Sequence, residues 1–449
     1  MNVHLIAIGG SAMHNMALAL HHKGFKVSGS DDAIFEPSKS RLEAHGLLPI
    51  EMGWFPEKIN NKLDAIILGM HARNDNAELK KAQELGIPIY SYPEYIYEQS
   101  KAKKRVVIGG SHGKTSITAI ILHVLKYAKL DCDYMVGAQL KGFDTMVKLT
   151  DNAPIIVLEG DEYLSSPIDL QPKFHWYKPH LAVLSGIAWD HINVFPTFEN
   201  YVDQFRIFAN DVQEKLFYYA HDVHLQTVCQ EELLCSVQPY ETPEHVIVDG
   251  VSYLVDDDKR VPLQVFGKHN LQNIQAAQLI CQSLGVRKEC FFEAIQTFIG
   301  ASKRLELVKR TETSSIYKDF AHSPSKLSAT TKAMKEQYPM RKLVACMELH
   351  TFSSLNKSFL NEYYGTMNEA DVAIVFFSKK AIEHKKLQEI TPGDIYKNFG
   401  RNDLEVITTT IDLVNFLKEI EWKNTNLLMM SSGNFEGLDF AKLSTLLED

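Results

Sequence analysis

Cysteine is scarce in this 449-residue chain. The six present, Cys132, Cys229, Cys235, Cys281, Cys290 and Cys346, are scattered and form no C-x-x-C pair. That spacing argues against a zinc cluster or a disulfide framework and fits a reducing cytoplasm. Long apolar runs are missing too. None approaches the ~18 to 20 residues needed to cross a bilayer. The N-terminus reaches a glycine turn by Gly9, which leaves no room for a signal peptide. The expectation is a soluble cytoplasmic protein with no membrane insertion. Positive charge is in deficit, with 47 Lys and Arg against 56 Asp and Glu and a net charge of −9. A duplex nucleic-acid binder would carry a basic face, so no nucleic-acid partner is expected. The one local basic cluster, Lys101 to Arg105, reads as a solvated linker. No exact internal repeat is visible.

Apolar residues make up 45% of the chain, ample for packed cores, and the length suggests about three domains. The first unit opens with the apolar strand Val3 to Ile8. The turn Gly9-Gly10-Ser11-Ala12-Met13 follows, then a helix with Met13, Met16, Ala17 and Leu20 on one face. A second strand, Phe25 to Ser28, leads into Gly29-Ser30-Asp31. This is a βαβ nucleotide-binding start. Its turn has Ala7 where the dinucleotide fingerprint has its first glycine. It fits NAD poorly and suits equally the pyrophosphate of another nucleotide, such as a UDP-sugar. Ala65 to Leu68, Glu78 to Leu85 and Ile87 to Tyr90 continue the strand–helix–strand rhythm. The tyrosine-rich, then basic, stretch Tyr92 to Arg105 reads as a connection between domains.

The second unit begins with the apolar run Val106-Val107-Ile108. Gly109-Gly110-Ser111-His112-Gly113-Lys114-Thr115-Ser116 follows, and then a helical stretch. Ile117, Ile120, Ile121, Val124, Leu125 and Ala128 recur there at three- and four-residue steps. A strand, a glycine-rich turn and a helix opening with Lys and Thr form a phosphate cradle. Backbone N–H groups and the helix N-terminus face the anion, Lys114 reaches the terminal phosphates, and Thr115 can ligate Mg²⁺. The spacing is shorter than the common phosphate loop, which wants glycine where this chain has Ile108. Two further apolar runs, Pro154 to Leu158 and His180 to Leu184, read as buried parallel strands. The first ends in Glu159-Gly160-Asp161-Glu162 and the second leads to Asp190-His191. Ligands of open parallel sheets sit beyond the carboxyl ends of the strands. Glu159 and His191 therefore become candidate metal ligands beside the loop, with Asp161 or Glu162 as alternatives.

The region from about Ala209 to Val261 has poor periodicity. Asn270 and Asn273 then stand one helical turn apart, placed either to cap a helix or to contact a purine base. A third α/β unit follows Gly300, with Arg304 at a plausible hinge. Its strands are Ile316 to Phe320, Leu343 to Met347, Val372 to Phe377 and Leu427 to Met430, with a helix around Lys326 to Gln337. The whole reads as an α/β chain of three domains: a Rossmann-like N-terminal domain, a central phosphate-loop domain with a parallel sheet, and a Rossmann-like C-terminal domain.

In this order the motifs resemble those of the Mur ligases, ATP-dependent amide ligases of peptidoglycan metabolism. Gly110-Ser111-His112-Gly113-Lys114-Thr115 is similar to that family's G-T-H-G-K-T loop, and Glu159-Gly160-Asp161-Glu162 to its E-A-D-E segment. Asp190-His191, Gly267-x-His269-Asn270-x-x-Asn273, Lys303-Arg304-Leu305-Glu306 and Asp319-Phe320-Ala321-His322-x-Pro324 follow in the family's order, so the match spans nearly the whole chain.

The resemblance implies three domains: residues 1–101 for UDP-N-acetylmuramate, 102–301 for ATP and Mg²⁺, and 302–449 for the incoming amine. On that reading residues 110–116 hold the nucleotide phosphates. Lys114 contacts the transferred phosphate, and Thr115, Glu159 and His191 hold the metal. Asn270 and Asn273 lie near adenine, Arg304 near the γ-phosphate and Asp319 near the ribose. Lys114, His191 and Arg304 are the catalytic candidates. Gly9, Gly10, Ser11, Ala12 and Met13 face the pyrophosphate of the sugar nucleotide, Asp31 its uridine side and Arg73 its muramate end. His322 could assist the amine, and Ser432 and Asn434 belong to the C-terminal loop on the amine side.

Three segments point to the family's murein-recycling branch, which joins UDP-N-acetylmuramate to the tripeptide L-Ala-γ-D-Glu-meso-diaminopimelate. They are Glu162-Tyr163, Lys173 to Pro179, and Met430-Ser431-Ser432-Gly433-Asn434-Phe435-Glu436-Gly437. The alternative is ligation of L-alanine to the same sugar nucleotide. The chain departs from the family pattern at Ala7, at Gly186 in place of Asn, at Ser323 in place of a second histidine, and over Glu348 to Ser354. Gly186 also keeps open a non-catalytic nucleotide-binding protein on this scaffold. Several relatives in the family carry a carbamylated lysine shortly after the metal histidine. Here the first lysine after His191 is Lys215, so none is expected.

Overall fold

The computed structural model describes residues 1–140, 142–189, 194–301 and 304–447. They form two compact units, Met1–Thr242 with Gln272–Ile295, and Pro243–Leu271 with Gln296–Asp449.

The first unit holds two parallel-dominated sheets. The N-terminal sheet has β1 (Asn2–Ile6), β2 (Lys26–Ser30), β3 (Ala65–Leu68) and β4 (Ile89–Ser91), in the order β2-β1-β3-β4 with every pair parallel. The helix Ser11–His22 follows the Gly9 turn, one residue after Gly10. Met13, Met16, Ala17 and Leu20, the face expected from the spacing, are all buried. The helix Ala77–Leu85 starts where Asn76 Oδ1 accepts the N–H groups of Glu78 and Leu79, and ends at Gly86 in the left-handed conformation.

The larger sheet has β5 (Lys104–Gly109), β6 (Cys132–Met135), β7 (Val147–Lys148), β8 (Ile155–Glu159), β9 (Leu181–Leu184), β10 (Lys215–Tyr219) and β11 (Ser236–Tyr240). Its order is β11-β10-β9-β5-β8-β6-β7. All pairs are parallel except β6 with β7. Val106, Val107 and Ile108, Ile156 to Leu158 and Ala182 to Leu184 are each fully buried. A sheet covered on both faces leaves no water-facing side, which is why these strands read as unbroken apolar runs. β5 lies between β8 and β9: the chain leaves it for β6, β7 and β8 on one side, then crosses to β9, β10 and β11 on the other. The strand order therefore reverses at β5, and the crevice beyond its carboxyl end is where such sheets bind ligands.

The cluster Lys101 to Arg105 is not the solvated linker expected of it. Tyr92–Ser100 is a helix, opened by a capping box of Ser91 and Glu94. Lys103 and Arg105 are buried. Lys103 Nζ lies 2.8 Å from Asp133 Oδ2, and Arg105 donates to the carbonyls of Tyr177 and Ser100. A cationic run looks solvated in sequence, but here two of its members satisfy backbone carbonyls and a buried acid.

The second unit contains the antiparallel β12 (His245–Val248), β13 (Val251–Asp256) and β14 (Lys259–Leu263), from the region without clear periodicity. Its main sheet has β15 (Glu306–Arg310), β16 (Ser315–Asp319), β17 (Lys342–Leu349), β18 (Val372–Phe377), β19 (Glu405–Ile407) and β20 (Thr425–Met430). The order is β15-β16-β20-β17-β18-β19, parallel but for β15. The helix Pro324–Gln337 starts after the turn His322-Ser323. All three principal sheets thus belong to an α/β chain, as expected.

Candidate nucleotide and ligase site

Beyond β5 the chain enters the glycine loop, and the helix Lys114–Tyr127 begins at once. Ile117, Ile120, Ile121, Val124 and Leu125 are buried against the sheet and fix the direction of that helix. The loop itself is held by backbone contacts. Gly110 has φ +123° and Gly113 φ +78°. A Cβ on Gly110 would stand 2.2 Å from Ser185 Oγ and 2.8 Å from Ser185 N. A Cβ on Gly113 would stand 2.3 Å from Asn273 Oδ1. Ser111 N–H donates to the Gly186 carbonyl at 2.9 Å, and the Ser185 hydroxyl donates to the His112 carbonyl.

Lys114 Nζ donates to Glu162 Oε2 at 2.6 Å and to the Gly110 carbonyl at 2.8 Å. Burial by itself would discharge this ammonium. The surrounding carboxylates Glu162, Asp161 and Glu159 outweigh burial and raise its pKa, so it stays charged. Thr115 Oγ1 donates to Glu159 Oε1 at 2.9 Å, and Gly137 N–H donates to Glu159 Oε2 at 2.8 Å. Burial pushes the Glu159 carboxyl above its ordinary pKa, against the pull of the Gly137 N–H and Lys114. Lys173 Nζ lies 2.6 Å from Asp161 Oδ2. Three acids thus stand beside two lysines, next to a hydroxyl on the first helical turn. Mg²⁺ binds through one or two carboxylates and completes its shell with water and phosphate oxygens, and Thr115 with Glu159 fits that habit. No three His, Cys, Asp or Glu among the described residues are arranged to hold a metal by themselves. Asp190 and His191 lie outside the described residues, as does Lys303.

Sequence reasoning named Glu162 only as an alternative and missed Tyr201. The Tyr201 hydroxyl lies 2.9 Å from Ser111 Oγ and donates to Glu162 Oε1 at 2.9 Å. Its helix, Phe198–Asn210, has buried Tyr201, Phe205, Phe208 and Ala209, an apolar spacing that gives no sign of the hydrogen-bonded hydroxyl. Ser116 is buried at the first turn of the phosphate-loop helix. Gly186, which departs from the family's Asn, sits beside the loop. Its φ is +150°, and Asp222 Oδ2 takes the next N–H, that of Ile187, at 2.8 Å.

In the N-terminal part of the same unit, Asp31 is buried and turned into the Gly9 loop. Its Oδ2 accepts the Gly9 N–H at 2.7 Å and its Oδ1 the Asp32 N–H at 2.9 Å. Burial nevertheless raises its pKa. Ala7, at the missing first glycine, has φ +66°, and the Ala7 and Ile8 N–H groups both donate to the Ser30 carbonyl. An alanine therefore occupies the left-handed conformation for which this position ordinarily needs glycine. Gly10, Ser11 and Ala12 lie at the solvent side of the turn, Met13 is buried and Arg73 is exposed.

In the second unit Asp319 ends β16. Its Oδ2 accepts the Leu305 N–H at 2.6 Å and its Oδ1 the Ala321 N–H at 2.7 Å. The Arg304 guanidinium stands 5.1 Å from the Phe320 ring. His269 is half-buried and its pKa is lowered, by desolvation first and by Arg304, against the pull of Asp319. Asn270 Nδ2 donates to the Phe266 carbonyl at 2.8 Å. His322 Nδ1 lies 2.8 Å from the Phe320 carbonyl. At the neighbouring strand ends Glu348 Oε2 accepts the Phe435 N–H at 2.9 Å and the Ser431 hydroxyl. His350 Nδ1 lies 3.7 Å from Glu348 Oε1. The Ser432 hydroxyl is buried without a partner among the described residues, and Asn434 Oδ1 accepts the Gly437 N–H at 3.1 Å.

A parallel sheet that delivers a phosphate loop, a charged lysine and paired acids to one strand edge defines a nucleotide-using α/β protein. The comparisons narrow that class. The description "Mur ligase family, catalytic domain" matches residues 2–104, and "Mur ligase middle domain" matches residues 108–281. Together they take in well over half of the chain, which belongs to the Mur ligase family of ATP-dependent amide ligases of peptidoglycan metabolism. A UDP-N-acetylmuramate–L-alanine ligase of Leuconostoc mesenteroides is 26% identical over 98% of this chain and 96% of its own. Among solved structures, a UDP-N-acetylmuramate–alanine ligase of Thermotoga maritima shares the fold. Its TM-score is 0.71 at 20% identity, covering 99% of this chain and 97% of its own. A UDP-N-acetylmuramate:L-alanyl-γ-D-glutamyl-meso-diaminopimelate ligase of Neisseria meningitides is 26% identical over 66% of this chain and 98% of its own, with a TM-score of 0.60.

Proposed function

We propose that this ligase joins the lactyl carboxylate of UDP-N-acetylmuramate to the amino group of an amino acid or short peptide. A carboxylate does not react with an amine at neutral pH, because its oxygen is a poor leaving group. In the proposed reaction the carboxylate oxygen attacks the γ-phosphorus of ATP and ADP departs. The amine nitrogen then attacks the acyl carbon, phosphate leaves and the nitrogen loses a proton. The paired arrangement of Lys114 with Glu162 and Thr115 with Glu159 at the β5 and β8 ends carries this reading. The Lys114 ammonium neutralises charge on the transferring phosphoryl group. Thr115 and Glu159, with His191, would hold Mg²⁺, which supplies further charge neutralisation when bound.

The other assignments follow the same reading. Residues 110–116 cradle the phosphates. Asn270 and Asn273 take the adenine, Asp319 the ribose side and Arg304 the γ-phosphate. Gly9 to Met13 take the pyrophosphate of the sugar nucleotide. Asp31 works there by holding the Gly9 turn, and Arg73 serves the muramate end. His322, Ser432 and Asn434 serve the amine, with domains divided near residues 101 and 301. The setting is cytoplasmic.

For the amine, the segments Glu162-Tyr163, Lys173 to Pro179 and Met430 to Gly437 favour the tripeptide L-Ala-γ-D-Glu-meso-diaminopimelate and a place in peptidoglycan recycling. The names of the sequence relatives favour L-alanine instead. Phosphate release with ATP, UDP-N-acetylmuramate and either amine decides. Turnover with the tripeptide is expected, and turnover with L-alanine alone would replace that choice. ATP binding with no amine-dependent phosphate release would overturn the ligase reading in favour of a nucleotide-binding protein.

A further inference from the structure

We propose that Tyr201 is a positioning residue that ties the phosphate loop to the carboxylate that sets the place of Lys114. The inference rests on the ligase reading for its kinetic consequence, though not for its geometry.

Four side chains form one continuous chain. Ala188 N–H donates to Ser111 Oγ at 2.9 Å. Ser111 Oγ and the Tyr201 hydroxyl lie 2.9 Å apart, and Tyr201 donates to Glu162 Oε1 at 2.9 Å. Glu162 Oε2 takes the Lys114 ammonium at 2.6 Å. The direction of the bonds is determined. A backbone N–H can only donate, so Ser111 accepts from Ala188. Tyr201 has one proton and gives it to Glu162, so the Ser111 hydroxyl donates to Tyr201. Every link then runs toward the carboxylate and ends on it opposite the lysine. Ser111, Tyr201 and Glu162 are buried, with Tyr201 fully so.

Such a chain has a specific mechanical effect. Ser111 sits in the glycine loop and Lys114 begins the helix after it, three residues away. Tyr201 holds one end of that span through Ser111 and the other through Glu162. A buried polar chain of this kind is costly to leave half-made, so it keeps loop and lysine in one relative geometry. The ring is held independently, with centroids 5.2 Å from Phe205 and 5.4 Å from Phe195. Removing the hydroxyl therefore leaves the packing in place. Tyr201 need not touch the substrates itself: it acts through Ser111, Glu162 and Lys114.

The test compares wild type, Tyr201→Phe, Ser111→Ala and the double variant. The readouts are phosphate release with ATP, UDP-N-acetylmuramate and the better amine, thermal midpoints, and direct binding of a fluorescent ATP analogue. Tyr201→Phe is expected to raise the KM for ATP and weaken analogue binding by about tenfold, the size of one lost hydrogen bond to a charged group. The KM for UDP-N-acetylmuramate should stay unchanged. The double variant should be no worse than Tyr201→Phe alone, because both substitutions cut the same chain. Wild-type ATP parameters in Tyr201→Phe would overturn the proposal. So would multiplicative losses in the double variant, or equal losses for both substrates, which mark general destabilisation. If Tyr201→Phe fails to fold, Ser111→Ala cuts the chain from its other end and is held to the same criteria. If wild type releases no amine-dependent phosphate, the ligase reading fails, and analogue binding alone still decides the role of Tyr201.

Discussion

Adding one methyl group to either of two glycines in the phosphate loop gives opposite severities, for reasons visible in the structure. In Gly113→Ala the new Cβ stands 2.3 Å from Asn273 Oδ1, the far end of a side chain that can rotate away. The φ of +78° costs alanine ~1–2 kcal/mol, offset by ~0.4–1 kcal/mol from a less flexible unfolded chain. The net loss is about 1 kcal/mol, and the Asn273 amide is displaced. In Gly110→Ala the Cβ meets Ser185 Oγ at 2.2 Å and Ser185 N at 2.8 Å. The nitrogen is backbone, at the exit of β9, and cannot turn aside. Overpacking of ~1–3 kcal/mol then adds to strain of ~1–3 kcal/mol at φ +123°. Relief requires the loop to move off the β9 edge, carrying Ser111 and Lys114 with it. The expected loss in kcat/KM for ATP is about tenfold in Gly113→Ala and at least about a hundredfold in Gly110→Ala. Steady-state phosphate release at varied ATP, with thermal midpoints alongside, reads both. Gly110→Ala within threefold of wild type, or Gly113→Ala the worse of the two, would refute the argument from backbone contact.

Lys114→Ala should abolish turnover and also destabilise the fold by ~3–5 kcal/mol, because buried Glu162 loses its ion pair with Lys114. Lys114→Ala combined with Glu162→Gln should recover most of that stability and none of the activity, as denaturant melts and phosphate release will report. The second prediction concerns the N-terminal sheet, where fully buried His4 and Glu78 lie 3.2 Å apart. Burial pushes the Glu78 carboxyl up, but bonds from His4, Ser30 and the Phe55 N–H outweigh it, and the pKa ends below its ordinary 4.5. A carboxyl depressed in the folded state stabilises the protein above its unfolded pKa, and that contribution fades as pH falls through the folded value. Glu78→Gln should therefore be less stable than wild type at pH 7 by ~1–3 kcal/mol. The gap should narrow below about pH 4.5, and a gap that is constant from pH 7 to 3 would contradict the assignment.

The parallel strands and the phosphate loop were legible because burial on both faces writes apolar runs, and a run that ends in glycines and Lys-Thr has few other uses. Glu159 was legible for the same reason, as the first charge after such a run. Tyr201 was not. Its helix reads as an aromatic core stripe, and only the fold brings position 201 beside positions 111 and 162. Lys103 and Arg105 were misread because charge in sequence carries no sign of the carbonyls waiting for it. The sequence placed Asp31 beside the sugar nucleotide but gave no sign that its oxygens also accept the N–H groups of Gly9, in the turn after β1, and of Asp32. The β12–β14 hairpins were missed because short antiparallel strands with mixed exposure leave no periodicity to count.

The position of the polar groups follows from the sheets themselves. Inside a doubly covered strand a carboxylate would sit in an apolar layer with no partner, a cost of several kcal/mol. Without a buried cation such as the one Lys103 gives Asp133 inside β6, the first place a strand can carry one is its exit. In the first unit β8 ends on Glu159, β5 opens into Gly110 and Lys114, and β9 runs into Ser185 and Gly186. In the second, β16 ends on Asp319, β17 ends in Glu348-Leu349 and β20 runs into Ser431 and Ser432. Neighbouring parallel strands point the same way, so their exits share one edge, and residues far apart in sequence meet there without any further device. The same constraint explains why the motifs of this chain are short and stand far apart in the sequence. The strands need only be apolar and of matched length, whereas each exit must present its own chemistry. Moving the Glu159 carboxylate one residue earlier, to the fully buried position of Leu158, would therefore lose both the Thr115 contact and the fold of that strand.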